Sequence, residues 1–374
     1  MEDDAQSETL LASDVEGEQS AQKVASICTG LGVAEMVFDS INFLVNHCLF
    51  SGASHELKAK TAFMCEYDPS KAAWLADAFK PPYLFKDMRS LGSGVGLDLV
   101  SKEFCQVPKV SGLTMGFPCT GISSQNNYAT SFRDTASPTG AGFKSLLDYA
   151  AYAGDILEWV ITENVRTLCN KSKKYDEKPI EIQNEEMGNL GFLPIHCLVN
   201  TAQFGIPQSR TRCWGLYIKK SLCKQSMDPG HLVRSLERAP VDMAEIFVEM
   251  AECSQPAVRS TKGEKWKDVF EEQLKTHGKG KVMKNLKALK QMTLPITDRE
   301  LSILSVAVTQ LLQKGFDPYA EALVIQDQNF ERATFVRSNP RLVPCLLPNG
   351  KYIVTKAWRL LNGKDRGCKK LNVV

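Results

Sequence analysis

Three short segments carry side chains whose types and order could do chemistry. They are Gly116-Phe117-Pro118-Cys119-Thr120-Gly121-Ile122-Ser123-Ser124-Gln125, then Ile161-Thr162-Glu163-Asn164-Val165, then Gln203 to Arg212, which ends in Gln208-Ser209-Arg210-Thr211-Arg212. In the first, proline on one side and small, loop-forming residues on the other hold a cysteine in the way that suits an exposed nucleophile. Cysteine is more often a small buried hydrophobe, and this segment alone leaves both roles open. A cysteine hydrolase would need a histidine base, and the five histidines, His47, His55, His196, His231 and His277, sit in no protease-like context. A structural metal is not expected either, because no two of the twelve cysteines form a C-x-x-C pair.

The elements that must position these segments follow from apolar patterning. Val24 to Cys28 reads as a short buried strand, Thr29-Gly30-Leu31-Gly32 as a turn, and Val33, Val37, Ile41, Leu44 and Cys48 as one face of a helix. A second such unit has Thr61 to Cys65 as a strand ending at Glu66, a helix from Ser70 to Phe79, and a stop at Pro81-Pro82. Strand-like Val110 to Met115 then runs into the cysteine segment, and strand-like Trp159 to Thr162 runs into Glu163. The pattern is that of βαβ units. In an open parallel sheet the carboxyl ends of the strands are where ligands bind, so Cys119 and Glu163 are both delivered to a binding edge. Residues 192 to 218 form two apolar runs around a polar loop, as a late strand hairpin would.

The three segments, in this order and each after a strand-like run, resemble the DNA cytosine-5 methyltransferase family: its Pro-Cys nucleophile loop, its Glu-Asn-Val segment and its Gln-x-Arg-x-Arg segment. The resemblance implies an α/β fold, a Rossmann-like S-adenosylmethionine-dependent methyltransferase sheet with a second, smaller target-recognition domain. It implies that Cys119 adds to carbon 6 of cytosine, that Glu163 hydrogen-bonds ring nitrogen 3 and the exocyclic amine, and that Asn164 shapes the turn. Arg212 would hold the base oxygen and Arg210 a phosphate or the loop. S-adenosylmethionine would sit on Gly30 and Gly32, although Cys28 occupies the place where the family has an aromatic residue. Glu66 would take its ribose hydroxyls, with Tyr67, Asp87 and Met88 around the adenine and Pro118 closing the pocket. Ser123 and Gln208 would approach the nucleic acid. The target cytosine must leave its base stack before any of these groups can reach it.

The remaining features bear on partners. The whole chain has 45 basic and 43 acidic residues, a formal net charge of +2, so any polyanion must meet a local patch. Such a patch runs from Arg259 to Lys290 and includes Lys279, Lys281 and Lys284, in the region where the family keeps its target-recognition residues. A solvated helix face with ion pairs is the alternative for these lysines. The expected layout is a disordered acidic tail over 1–22, a catalytic domain over 23–220, a nucleic-acid-binding region over 221–340, and a return to the catalytic domain over 341–374. The family's closing Gly-Asn segment is not found after Asn362, which keeps a catalytically inactive nucleic-acid-binding relative as an alternative. A transfer RNA methyltransferase is the other, although that branch's Cys-Phe-Thr signature is also not found. The acidic start and the lack of any apolar run near the roughly 18 residues of a membrane span point to a reducing compartment with no membrane partner. A eukaryotic host would imply the nucleus.

Overall fold

The computed structural model describes residues 22–44, 59–123, 126, 128, 130–172, 175–223, 229–241, 266–292, 296–326, 335–344, 351–355 and 359–362. Apart from Gln22, the acidic tail expected over 1–22 lies outside these residues. The chain divides into two compact units, residues 1–198 with 213–227, and residues 199–212 with 228–374.

The first unit is built around strands β1 (Gln22–Ile27), β2 (Ala59–Cys65), β3 (Leu84–Phe85), a small antiparallel pair β4 (Val95–Leu97) and β5 (Phe104–Gln106), β6 (Gly112–Met115), β7 (Trp159–Val165), β8 (Phe192–Asn200) and β10 (Thr211–Lys219), while the short β9 (Gln208–Ser209) between the last two falls in the second unit. Seven of them form one sheet in the order β3-β2-β1-β6-β7-β10-β8, and the pairs β3/β2, β2/β1, β1/β6 and β6/β7 are parallel. This is the α/β, Rossmann-like sheet that the βαβ patterning predicts. Strand order reverses at β1, so a crevice opens beyond the carboxyl ends of β1 and β6. The helices between strands are α1 (Val33–Phe43), α2 (Pro69–Ala78), α3 (Pro138–Ala153) and α4 (Pro179–Asn189). Local chemistry starts two of them: Asp68 accepts from the Ser70 and Lys71 amides ahead of α2, and Ser137 accepts from the Gly140 amide ahead of α3, each with proline in the first turn.

The core lies where α3 covers the sheet. Phe63 meets Phe85 and Tyr149 edge-on at centroid distances of 5.5 and 5.6 Å, and Leu113, Val160, Phe192 and Tyr217 are buried in the same cluster. Helix α1 departs from its sequence pattern. Val33, Val37, Ile41 and Leu44 are exposed, Cys48 lies outside the described residues, and the side chain α1 buries is Glu35. The reason is a polar one: Ser26 of β1 donates its hydroxyl hydrogen bond to Glu35, which turns that side of the helix to the sheet.

In the second unit, α5 (Pro229–Ser235) precedes α6 (Trp266–His277), α7 (Lys279–Lys290) and α8 (Asp298–Gln313). Val282, Leu286 and Leu289 of α7 bury in one cluster with Leu304, Val308 and Leu311 of α8, whose start is set by a Thr297/Glu300 capping box. For 341–374, expected to return to the catalytic domain, the described strands pair as follows. Strand β12 (Val343–Pro344) pairs with β9, and β13 (Lys351–Val354) pairs with β11 (Val324–Gln326) and β14 (Arg359–Asn362), all within the second unit. Likewise 199–212, expected in the first domain, groups with the second, because backbone pairing to β12 and Arg238 outweighs sequence proximity to β10. Residues 363–374 lie outside the described residues. Among the described residues no helix is long and apolar enough to cross a membrane.

The contact between β6 and β7 is tight enough to test. A Cβ on Gly112 would lie 2.0 Å from Cζ2 of the Trp159 ring, so Gly112→Ala should cost about 1–3 kcal/mol of stability in urea unfolding without a change in slope.

Candidate active site

The loop after β6 is held from three sides. The Gly116 amide donates to the Ile27 carbonyl at 3.3 Å, which ties the loop to the end of β1. The Gly121 amide donates to the Thr139 hydroxyl in the first turn of α3 at 2.8 Å, and the Ile122 amide donates to the Cys119 carbonyl at 3.1 Å, so Cys119 opens a tight turn. Helix α3 also packs beneath Phe117-Pro118 through Gly142, where an added Cβ would lie 2.9 Å from Phe117 Cβ and 3.1 Å from Pro118 Cδ. Glu177 supports the far end of the loop by accepting from the Ser131 hydroxyl at 3.1 Å and from the Phe132 amide. Cys119 and Ser123 are half-buried in this frame.

Strand β7 brings up the carboxylate. Sequence patterning ends the strand before Glu163; the structure carries it through Val165 with strict alternation, so Val160, Thr162 and Asn164 are buried and Glu163 lies half-buried on the opposite face. Asn164 is 2% exposed, and its amide nitrogen donates to the Phe117 carbonyl at 3.2 Å. Oε2 of Glu163 is 3.6 Å from where a Gly116 Cβ would stand. A carboxylate and a thiol are thus delivered to adjacent strand ends, one by β7 and the other by the loop after β6.

The expected cofactor residues line the neighbouring edge. Glu66, at the end of β2 and 7% exposed, accepts from the Gly30 amide at 2.8 Å and the Asp68 amide at 2.9 Å. Its carboxylate therefore braces the glycine turn, and with two acceptor oxygens it has lone pairs left for a diol. Gly30 has open space over its Cα, whereas a Cβ on Gly32 would stand 2.3 Å from the Phe79 ring. Tyr67 is 66% exposed, its ring available for stacking. Asp87 accepts from the Arg89 amide at 3.0 Å and from its guanidinium; the Arg89 side-chain hydrogen bond, chiefly, holds the Asp87 carboxyl below its usual range. Cys28 adopts φ +56°, a left-handed conformation unusual outside glycine, and donates its thiol to Met88 Sδ at 3.5 Å. Burial, followed by the Glu66 charge, pushes the Cys28 thiol up to about 12. Ends of β1, β2 and β3 thus present Cys28, Glu66 and Asp87 in a row.

Below this row, Ser26 also hydrogen-bonds Thr29 Oγ1 at 2.7 Å, and Oε2 of Glu35 is buried without a partner. Burial raises the Glu35 carboxyl above its usual range, with the Ser26 hydrogen bond opposing it. Neither this relay nor the Thr139 brace is legible from the sequence, since both join residues whose types are common in solvated turns.

Gln208, Arg210 and Arg212 belong to the second unit. The Arg210 amide donates to Asn200 Oδ1 at 3.2 Å, its carbonyl accepts from the Thr201 amide at 3.2 Å, and Arg212 Nη1 donates to the Thr211 carbonyl at 3.0 Å. Gln208 lies in β9, opposite Val343. Lys279, Lys281 and Lys284 are exposed on α7, away from its buried face of Val282, Leu286 and Leu289. Among the described residues no group of three or more His, Cys, Asp or Glu side chains could hold a metal.

Comparison with known proteins adds independent findings. A family model described as C-5 cytosine-specific DNA methylase matches residues 23–340. "DNA (cytosine-5-)-methyltransferase DMT5" of Cryptococcus neoformans is 24% identical over 362 residues, 87% of this chain and 14% of that protein. "Type II methyltransferase M.DdeI" of Desulfomicrobium norvegicum is 28% identical over 144 residues, 37% of this chain and 33% of that protein. The matches thus span 14% and 33% of the lengths of these two relatives. Among solved structures, the Entamoeba histolytica methyltransferase EhMeth aligns with a TM-score of 0.43 at 11% identity, over 68% of this chain and 67% of that one.

Two outcomes test the site's construction. Asn164→Ala leaves the Phe117 carbonyl buried without its donor and should cost about 1–3 kcal/mol in urea unfolding. Because the folded-state Glu35 carboxyl titrates above its unfolded value, its contribution is complete below the unfolded value and is lost as pH rises through the folded one. Glu35→Gln should therefore flatten the decline in thermal stability with rising pH on the alkaline side of the ordinary carboxylate range.

Proposed function

The chain belongs to the C-5 cytosine-specific DNA methylases, and from that premise we propose that it transfers a methyl group from S-adenosylmethionine to carbon 5 of cytosine in DNA through a transient bond to Cys119. The observation that carries this reading is the Asn164–Phe117 hydrogen bond, which couples the nucleophile loop to the strand bearing Glu163. Carbon 5 of cytosine is a weak nucleophile. Addition of the Cys119 sulfur to carbon 6 makes the ring electron-rich at carbon 5, and Glu163, hydrogen-bonded at nitrogen 3 and the exocyclic amine, offsets the charge that develops. Loss of the carbon 5 proton to a base then lets the thiolate leave by elimination. Arg212 is suited to the base oxygen and Arg210 to a phosphate, since a guanidinium fork offers parallel donors to both.

The residues at the β1, β2 and β3 ends fit the cofactor. Glu66 is a buried carboxylate with spare acceptor capacity beside a glycine turn open at Gly30, and Tyr67 offers an exposed ring. S-adenosylmethionine, when bound, supplies an electrophilic methyl group. Glu66 would hold its ribose, Gly30 and Gly32 its amino-acid end, and Asp87 and Met88 its adenine. Cys28 takes the place of the family's aromatic residue, so that wall is sulfur-lined.

DNA is favoured over transfer RNA because the Cryptococcus neoformans relative is a DNA (cytosine-5-)-methyltransferase and the transfer RNA branch's Cys-Phe-Thr signature is not found in the sequence. The lysine face of α7 is the candidate phosphate contact, and Ser123 and Gln208 are further candidates for contact with the nucleic acid. A flipped base costs a few kcal/mol of stacking, which such contacts and the base pocket must recover.

Covalent trapping tests the mechanism. A duplex containing 5-fluorocytosine, incubated with the protein and S-adenosylmethionine, should give a denaturant-stable adduct that is lost in Cys119→Ala and slowed about a hundredfold or more in Glu163→Gln. An adduct on fluorocytosine-containing transfer RNA alone would reassign the substrate, and none on either would leave a nucleic-acid-binding relative. For the lysine face, combined alanine substitution of Lys279, Lys281 and Lys284 should reduce the slope of log affinity against log salt by about 2–3 for duplex DNA.

A further inference from the structure

We infer that Cys169 and Cys213 form a redox site, a dithiol that a hydroperoxide closes to an intrachain disulfide. Their sulfurs stand 3.3 Å apart although the residues are 44 positions apart in the chain, and both are free thiols. Cys169 ends the 3-10 turn Arg166–Cys169 that directly follows β7, and Cys213 lies in β10 immediately after Arg212. A disulfide needs a sulfur separation of about 2.05 Å, so the pair must close by about 1.3 Å, a movement shared between side-chain torsions and the backbone that bears them. Neither thiol has a part in the methyl transfer proposed above.

The two sulfurs differ in a way that orders the chemistry. Cys169 is half-buried, while Cys213 is 1% exposed. Burial, first, and then the neighbouring Cys169, Cys197 and Glu163 push the Cys213 thiol well up, so it stays protonated. Cys169 is therefore the sulfur that meets the oxidant. The thiol releases its proton to solvent, the thiolate attacks the terminal oxygen of the hydroperoxide, the O–O bond breaks, and Cys169 becomes a sulfenic acid while the departing hydroxide or alkoxide takes a proton back from solvent and leaves as water or an alcohol. The Cys213 sulfur then attacks the sulfenic sulfur; the S–S bond forms, the S–O bond breaks, and the hydroxide departs with the Cys213 proton as water. The dithiol loses two electrons and the peroxide gains them, and an added dithiol reductant reverses the bond by exchange.

Closure acts on both reactive segments through the backbone. Cys169 is six residues past Glu163 and Cys213 one past Arg212, so drawing the sulfurs together shifts the frames of the carboxylate and the guanidinium. A displacement of about 1 Å in such a frame can cost about a hundredfold in rate. This consequence for turnover rests on the function proposed above; the bond itself does not.

The experiment treats the full chain with hydrogen peroxide under native conditions, blocks free thiols, and maps tryptic peptides. The expected product joins peptide 167–171 to peptide 213–219, lighter than their sum by two hydrogens; it persists in Cys119→Ala, is lost in Cys169→Ala, and disappears with dithiothreitol. Methyl transfer should fall by up to about a hundredfold with the bond and return on reduction, whereas Cys169→Ala keeps its untreated activity at the same peroxide dose. A linked peptide found only after denaturation, or one joining Cys213 to Cys197, overturns the site. A linked peptide with undiminished turnover overturns the coupling. If the untreated protein transfers no methyl group, the functional reading fails while the peptide map still decides the dithiol.

Discussion

A single buried amide donor, Asn164 Nδ2, reaches from β7 to the carbonyl of Phe117, and the sheet edge that carries Cys119 and Glu163 depends on it. The Phe117 carbonyl lies two residues before Cys119 and in a buried position where an unmade hydrogen bond would be costly. Satisfying it from Asn164 fixes the register of the Cys119 loop against the strand that carries Glu163. The alternation of β7 does the rest: because neighbouring residues of a strand point to opposite faces, burying Asn164 on one side places Glu163 on the other. Two chemically different groups are thus set by one backbone register.

The same economy governs the glycine turn after β1. Glu66 accepts from Gly30 and Asp68, so the carboxylate that would hold a ribose also holds the loop on which the rest of the cofactor would rest. Beneath it the Glu35–Ser26–Thr29 relay replaces the apolar contact that the pattern of α1 calls for. A buried carboxyl in such a place makes the loop's stability depend on protonation, which an apolar helix face would not. The exposure of Val33, Val37, Ile41 and Leu44 is the other side of that exchange.

In the second unit, α7 separates two tasks by helical geometry. Val282, Leu286 and Leu289, at spacings of four and three, bury against α8, and this leaves Lys279, Lys281 and Lys284 facing solvent as a cationic surface. The strand β9 has a comparable division: its backbone is committed to β12, while Arg210 and Arg212 follow it with side chains half-exposed.

Much of the first unit is written locally. Strand-length apolar runs, Asp68-Pro69 and Ser137-Pro138 as helix starts, and glycine at sharp turns are dictated by short-range sterics and hydrogen bonding, so β1, β2, α2, β6 and β7 can be read in sequence, as can the candidate roles of Cys119 and Glu163 and the family they resemble. Long-range satisfaction decided the remainder. No local pattern tells that Glu35 rather than Val37 is buried, that Asn164 serves Phe117, or that 199–212 and the strands after 324 group together, because each depends on which distant donor, acceptor or strand edge is left unpaired once the sheet has formed. The meeting of Cys169 and Cys213 is of the same kind. Their 44-residue separation carries no signal, and only the placement of β10 beside β7 in the folded sheet brings the two sulfurs into contact.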